Sequence, residues 1–588
     1  MKEVFHKNLP FLCIGLAFVL VFGLLPYIHA KIAVGEEVWR GVPVRYVPDS
    51  TYYFAQMKEV AEGFIMAGNP YIKEYRNEIP PAFFIPVDIV ALPLILGASW
   101  SVAIVFNWIL YGAAFLFLVN ILFRRFGLPN SIAFISSVLV YLIAYGFLMR
   151  PVSLQIVFSF FVIFLLALYL WLTGESNSRL RGTFLAVAIA LSAYVYTYMA
   201  IIVAMTSFSL WAFYLLSRGY RRLRHLTYIG IGSCLLVLPF IFTTLIPQLS
   251  NPWYQETLVR IGLVETRYLP IEAWYQGRWV VIGAIAILIF FLTIKNRKET
   301  FKAHQNVTLF FMMSGIGLLL ATISNTFTGK ELTTAIHVGR FIFVWTGLLF
   351  TTLLYILIRE RMYISLRNMT ILGFLLLLLS VGILREIPRS LGFINDPNID
   401  RMVEVQSYAE PMKVLNGLGK IGDVVWADND ISEYIPILSK DYALFSSRSV
   451  LQIMPSSEIF DRYSASHFIS IDRVGIEGDL FDYLGAGYAE EQPGSFNLSV
   501  TYCERLHLSS QCQSHLNAIE FQGTTFFDKL EERYAFVRAH QRVFLERFNV
   551  KYLLLDTKRG ESVPTIDGVA FKPLWSNDRY QIFTLAFR

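Results

Sequence analysis

The sequence predicts a polytopic α-helical membrane protein of about twelve spans that carries a C-terminal α/β domain outside the bilayer. Three observations predict it. Of the 588 residues, 55% are hydrophobic and only 16% charged, whereas an ordinary soluble domain is about a quarter charged. The apolar residues are bunched into runs of about 17 to 22, long enough at 1.5 Å per residue to cross roughly 30 Å of hydrocarbon. Beyond residue 384 the composition turns mixed and polar.

Taken in order, the spans are expected at 9–29, 81–98, 100–123, 130–148, 153–173, 182–196, 199–217, 227–247, 279–294, 307–324, 341–358 and 369–384. The first has a basic start and ends near Ala30, as a signal peptide does, but its apolar core is long for one and it is read as a retained helix. The stretch 182–217 reads either as one long kinked helix or as two. Two spans are preferred, because the aromatic, polar segment YVYTYM suits a membrane interface.

Lys and Arg are harder to translocate than to leave inside, so the basic segments RRF, SRLR, SRGYRRLR, KNRKETFK and RERMYISLR are read as inner loops. That makes the amino end cytoplasmic and sends residues 385–588 outside. Cys13 and Cys234 fall in spans, while Cys503 and Cys512 close a short loop in the tail. A pair in an exported domain with nothing nearby to complete four ligands reads as a disulfide rather than a metal site. In the same tail NLS, at 497–499, is an acceptor sequon.

The expected division is a membrane domain over 1–384 and an external domain over 385–588. In the latter, GDVVWAD and NVKYLLLD are short β-rich runs ending in aspartate, and KLEERYAFVRAHQRVFLERF has its apolar residues at helical spacing. Alternating strands and helices favour a partly parallel sheet covered by helices. Two outer loops, 30–80 and 248–278, are too long to be simple hairpins, and such loops tend to hold function.

The first of these contains VPDSTYYFAQMKEVAEG. Tyr53, Met57, Val60 and Phe64 share one helical face, which is expected to rest on the membrane surface. Asp49 stands just before it, either as an N-cap for the free amides or as a general base on an acceptor hydroxyl. Directly before the eleventh span, NTFTGKELTTAIHVGRF puts His337 and Arg340 three apart on one helical face, with Lys330 and Glu331 earlier in the loop. This arginine is either a phosphate clamp or an interfacial anchor. Glu74 and Glu78, before the second span, are candidates for an acceptor or a divalent cation, or simply a solvated face beside Lys73 and Arg76. Asp88 is a carboxylate inside a span, where a charge is costly and usually functional; near the outer end, it is either a further acceptor or metal candidate or only hydrogen-bonds a neighbour. No GxxxxGK[ST], HExxH or paired CxxC occurs, so nucleotide-driven pumping and zinc hydrolysis find no support.

This layout resembles the GT-C superfamily of membrane glycosyltransferases, which use polyprenyl-phosphate sugars as donors on the outer face. PDSTYYFAQMKEVAEG, with NPY and PPAFF after it, looks like the first-loop region of bacterial and archaeal members, and the likeness gives Asp49 the role of catalytic base. HVGRF is similar to the late-loop position that holds the donor phosphate, which implies Arg340 with His337, and Lys330 beside them. VVWADNDISEYIPILS resembles the opening strand and helix of the external domains. It departs from the Trp-Trp-Asp signature of oligosaccharyltransferases by reading Trp426, Ala427, Asp428, so a peptide acceptor and metal dependence are not carried over. The resemblance implies a hexosyl- or pentosyltransferase working by one inverting displacement. Its expected partners are a polyprenyl-phosphate sugar, a glycan, lipid or protein acceptor and membrane lipids, without nucleic acid. No cofactor is firmly implied, and Mg or Mn stays open. The rival readings are a flippase of lipid-linked saccharides and a non-catalytic envelope assembly factor. Spans nearly free of charge count against the flippase.

Overall fold

In the computed structural model, the described residues are 2–491, 493–494 and 524–588, apart from 67, 81–83, 175–177, 296–297, 361–365, 396–398 and 419–421. Among them, ten helices are long and apolar enough to cross a membrane. The helices before the tail are α1 (Lys2–Val34), α2 (Ser50–Ala61), α3 (Phe84–Ile95), α4 (Trp100–Arg125), α5 (Asn130–Leu148), α6 (Ser153–Thr173), α7 (Arg179–Val195), α8 (Thr197–Leu216), α9 (Tyr220–Phe240), α10 (Ile246–Ser250), α11 (Tyr254–Ile261), α12 (Ile271–Ile294), α13 (Lys298–Thr322), α14 (Asn325–Thr328), α15 (Thr334–Arg359) and α16 (Leu366–Asn395). A π-helical turn, Ile241–Leu245, joins α9 to α10. The stretch 182–217 divides in two at Tyr196, whose extended backbone interrupts the helix.

The expected span at 81–98 is different. Its described residues form the 12-residue α3, about 18 Å long and well short of a bilayer core. Gly97, at φ 85°, ends it, and Ser99 then caps α4 by accepting from the Val102 N–H. With α3 left out, the ten spanning helices, α1, α4 to α6, α8, α9, α12, α13, α15 and α16, together with the 17-residue α7, alternate in direction. At one end Phe126 packs on Tyr169 and Phe310, Arg222 donates to the Leu172 and Gly174 carbonyls, and His304 meets Glu360. The described residues of the five basic segments lie at that end, opposite the tail. Strict alternation through twelve crossings would instead have returned the tail to the side of the amino end.

Small residues let these helices approach closely. Gly283 and Gly315 leave room for the fully buried indole of Trp345, which a Cβ at either position would meet at under 3 Å. The Trp345 N–H donates to Ser314 Oγ at 2.9 Å.

The tail carries a five-stranded sheet built from β3 (Val424–Trp426), β4 (Tyr442–Ala443), β5 (Val550–Asp556), β6 (Val569–Ser576) and β7 (Tyr580–Phe587), while β1 (Leu263–Glu265) and β2 (Lys330–Leu332) form a separate antiparallel pair between two outer loops. In the order β4-β3-β5-β7-β6, the strands β4, β3 and β5 run parallel and β5, β7 and β6 antiparallel. The two runs read as strands from sequence, β3 and β5, are neighbours. The run read as one helix is found as Thr524–Ala539 and Gln541–Arg547, broken at His540. Cys503 and Cys512, and the sequon at 497–499, lie outside the described residues.

One expected surface is overturned. The amphipathic α2 does not lie on a membrane face, since Tyr52, Phe54, Gln56, Met57, Glu59 and Val60 are all buried. Phe54 packs on Trp100 at 5.5 Å, and Ile435–Leu438 of the tail closes over the helix. On its polar side Thr51 meets Glu433 of the tail, while Glu59 pairs with Arg76 of the first loop.

Candidate active site

The chain enters α2 through Val47, Pro48 and Asp49. Asp49 stands at the N-cap position, yet its side chain makes no capping bond. Ser50 braces the turn instead, its hydroxyl accepting from the Val47 N–H at 3.1 Å and donating to the Val47 carbonyl at 2.9 Å. The tail fixes the same turn. Arg45 and Arg448 each donate to the Pro48 carbonyl at 2.8 Å. The buried Glu433 is ion-paired with Arg45 at 3.3 Å and Arg448 at 3.1 Å, and accepts from Thr51 Oγ1 at 2.7 Å. Three residues of the first loop and two of the tail therefore set where Asp49 sits.

With no capping duty, the Asp49 carboxylate is ion-paired with Arg150 Nη2, the two side chains being 22% and 18% exposed. Arg150 lies in the short connection between α5 and α6. There Ser153 donates its N–H to the Pro151 carbonyl at 2.7 Å, around Val152 at φ 62°, ψ −71°. This is the strained form of the γ-turn, rare for a β-branched residue. Trp108 anchors the turn from α4, its indole N–H donating to the Met149 carbonyl at 3.1 Å. Burial opposes the charge on Arg150, but Tyr53, Asp49 and Tyr196 around it hold the guanidinium above its usual range. The buried Arg150 Nε has no hydrogen-bond partner among the described residues. Sequence reasoning missed this residue. Its signal was a single arginine, followed by proline, between two long apolar runs.

The third group comes from the start of α15. Strands β1 and β2 tie the loop before it to loop 248–278, with Val264 opposite Glu331. Glu331 then accepts from the Ala335 N–H at 3.1 Å, satisfying a free amide of the first turn. One turn on, His337 stacks flat on Tyr198, ring centroids 4.1 Å apart. Its Nδ1 meets the Tyr196 hydroxyl at 2.6 Å and Arg340 Nη1 at 3.2 Å. A guanidinium only donates, so Nδ1 accepts and the ring proton of the neutral imidazole sits on Nε2. Arg340 is within electrostatic reach of Arg150, Tyr196, Asp49 and Tyr53. One carboxylate, two guanidiniums, an imidazole and phenols thus gather where the first loop, the α5–α6 turn and the start of α15 meet.

The other predicted residues are not part of this gathering. Lys330 sits on β2, exposed and paired with Glu265 at 3.8 Å. Glu74 accepts from Arg462 of the tail at 2.8 Å, and Glu78 from Asn251 at 2.9 Å. Asp88 is on α3, with its Oδ1 buried and lacking a partner among the described residues. These three acids do not converge, and among the described residues no group of three His, Cys, Asp or Glu side chains is arranged to hold a metal ion. Asp428, of the Trp-Ala-Asp segment, accepts from the Ile431 N–H at 3.1 Å as a helix cap and pairs with Arg559 at 3.1 Å.

No protein-family model matches the chain, and no curated protein matches it. Among solved structures, it is similar to the Archaeoglobus fulgidus oligosaccharyltransferase AglB in complex with an inhibitory peptide and a dolichol-phosphate, at 12% identity and TM-score 0.44 over 95% of this chain and 70% of that one. The same archaeal enzyme tethered to an acceptor peptide containing the NVT sequon gives 11%, 0.44, 95% and 70%. ArnT from Cupriavidus metallidurans in the apo state gives 12% and 0.42 over 76% of this chain and 91% of that one. At 11% to 12% identity, none of these likenesses carries the role of a residue across to this chain.

Proposed function

We propose that this chain is a membrane glycosyltransferase of the GT-C type, transferring a sugar from a polyprenyl-phosphate donor to an acceptor hydroxyl by one inverting displacement. The supporting observation is the meeting of Asp49, Arg150 and Arg340 at the rim of the spanning helices, beneath the tail. A lipid-linked phosphate approaches from the bilayer at that level, and planar guanidiniums match phosphate oxygens bidentately. The amino end and the basic loops are assigned to the cytoplasm and the tail to the outside, by the bias of Lys and Arg.

In this mechanism the donor phosphate bridges Arg150 and Arg340, drawing Arg150 away from Asp49 and leaving that carboxylate to the acceptor hydroxyl. Asp49 takes the hydroxyl proton as the oxygen attacks the anomeric carbon. The bond from that carbon to the phosphate oxygen breaks on the opposite face, and its electron pair leaves with the phosphate. The two guanidiniums offset the charge that develops there, and the His337 Nε2–H supplies one further donor. Phosphate leaves without a general acid. The proton stays on Asp49 until the product departs.

The test compares wild type with Asp49→Asn in purified membranes supplied with a panel of polyprenyl-phosphate sugars. Transfer is expected to fall by about 10²- to 10⁴-fold, the range a positioned base contributes. Equal turnover would remove Asp49 as the base, and no transfer by wild type across the panel would favour a flippase or an assembly factor.

A further inference from the structure

Away from Asp49, the tail holds a cavity of about 510 Å³ between the helix Ser456–Ser466, the helix Thr524–Ala539 and the loop bearing Trp253. Its floor is rigid. Arg260, fully buried, donates to the carbonyls of Val450, Gln452 and Met454 at 2.8 to 2.9 Å and to Ser456 Oγ at 2.6 Å. Ser456 also gives its N–H to Glu256 at 2.8 Å.

The lining has a definite chemistry. Asp461 is held by both arms of Arg533 at 2.8 Å. Glu458 accepts from Arg462 and from the Tyr75 hydroxyl, each at 2.8 Å. The carboxylates are therefore already engaged. Arg547 is held more loosely: its side chain is 55% exposed, its ion pairs with Glu458 and Asp461 are long at 3.9 and 4.0 Å, and its guanidinium lies 5.4 Å from the Phe548 ring centre. The lining acids Glu458 and Asp461 balance Arg533 and Arg547, so the cavity offers no net charge to an ion. Trp253 is 37% exposed at the rim, beside Phe526 and Tyr488.

We propose that this cavity binds a neutral oligosaccharide, the portion of the acceptor glycan distant from the reacting hydroxyl; only the identification as acceptor rests on the function proposed above. The volume suits a few sugar rings, falling within the roughly 300 to 1,000 Å³ usual for ligand sites. An exposed indole offers the flat apolar face that sugar C–H groups stack on, and the loosely paired Arg547 guanidinium offers hydrogen bonds to ring hydroxyls. Balanced charge selects against phosphates, uronates and cationic peptides. Through the Tyr75–Glu458 and Glu74–Arg462 contacts, the cavity is braced against the same first loop that carries Asp49.

The test is calorimetric titration of the full chain in detergent with maltotetraose, mannotetraose, chitotetraose and a tetragalacturonate. At least one neutral tetrasaccharide is expected to bind. Trp253→Ala should weaken it about tenfold, the loss of one good aromatic contact, and Arg547→Gln several-fold. Asp49→Asn should bind it as wild type does. Failure of all three neutral glycans, binding of the uronate alone, or binding indifferent to both substitutions overturns the proposal. Full transfer by Asp49→Asn would sink the catalytic reading and leave this cavity's binding intact.

Discussion

At the scale of single residues, the ion pair between Asp49 and Arg150 is the feature on which the chemistry turns. Arg150→Ala removes a guanidinium from the proposed phosphate site and should lower kcat/KM by about 10²-fold or more. Arg150→Lys keeps the charge but loses the planar fork, so it should raise the KM for the donor about tenfold while sparing more of kcat. Steady-state kinetics over donor concentration separates the two, and a wild-type profile for both would exclude Arg150 from the phosphate site. Asp49 was legible in the sequence because a lone acid before an aromatic helix is conspicuous, and His337 and Arg340 because their spacing puts them on one helical face. Arg150 was not, since a turn of a few residues has no periodicity. Its aim comes from the backbone at Val152, a conformation that nothing in the residue type announces.

At the scale of elements, α2 is held like a wedge between the membrane helices and the tail. Its periodic apolar face was readable, but its surroundings were not, because periodicity says which side is apolar and nothing about what covers the other. Glu433 is the principal fastener. Glu433→Gln leaves Arg45 and Arg448 without their countercharge in a buried setting, and should destabilise the docked tail by about 3 kcal/mol. Detergent thermal melts would show it, and an unchanged Tm would mean that this network does not hold the tail. The same helix carries Glu59, which burial pushes up to about 7 against the opposing pull of Arg76. A carboxyl raised in the fold binds its proton more tightly folded than unfolded. Its favourable contribution is therefore complete below about 4.5 and is lost as pH rises towards about 7. Relative to Glu59→Gln, the wild type should lose stability across that window and run parallel above it. Melting both proteins from pH 4 to 8 checks the sign.

At the scale of the whole molecule, hydropathy made the architecture readable and miscounted one segment, because a 12-residue helix flanked by apolar residues looks like a span until Gly97 is seen to turn the chain. The correction has a measurable consequence. If α3 does not cross, the first loop lies on the tail's side and residues 124–125 lie opposite, whereas a crossing α3 would carry the first loop away from the tail to the side of residues 124–125. In a chain freed of its four cysteines, Arg125→Cys and Arg218→Cys should resist a membrane-impermeant maleimide in intact cells and react after permeabilisation. Lys330→Cys and Asp578→Cys, exposed at the other end, should react at once. Glu36→Cys in the first loop, exposed as well, should react at once with them, and its protection alongside Arg125→Cys would restore α3 as a crossing. Early labelling of Arg125→Cys and Arg218→Cys, with Lys330→Cys and Asp578→Cys protected, would instead put the tail in the cytoplasm. An external acceptor could not then reach Asp49, so the same labels also bear on the direction from which the acceptor arrives.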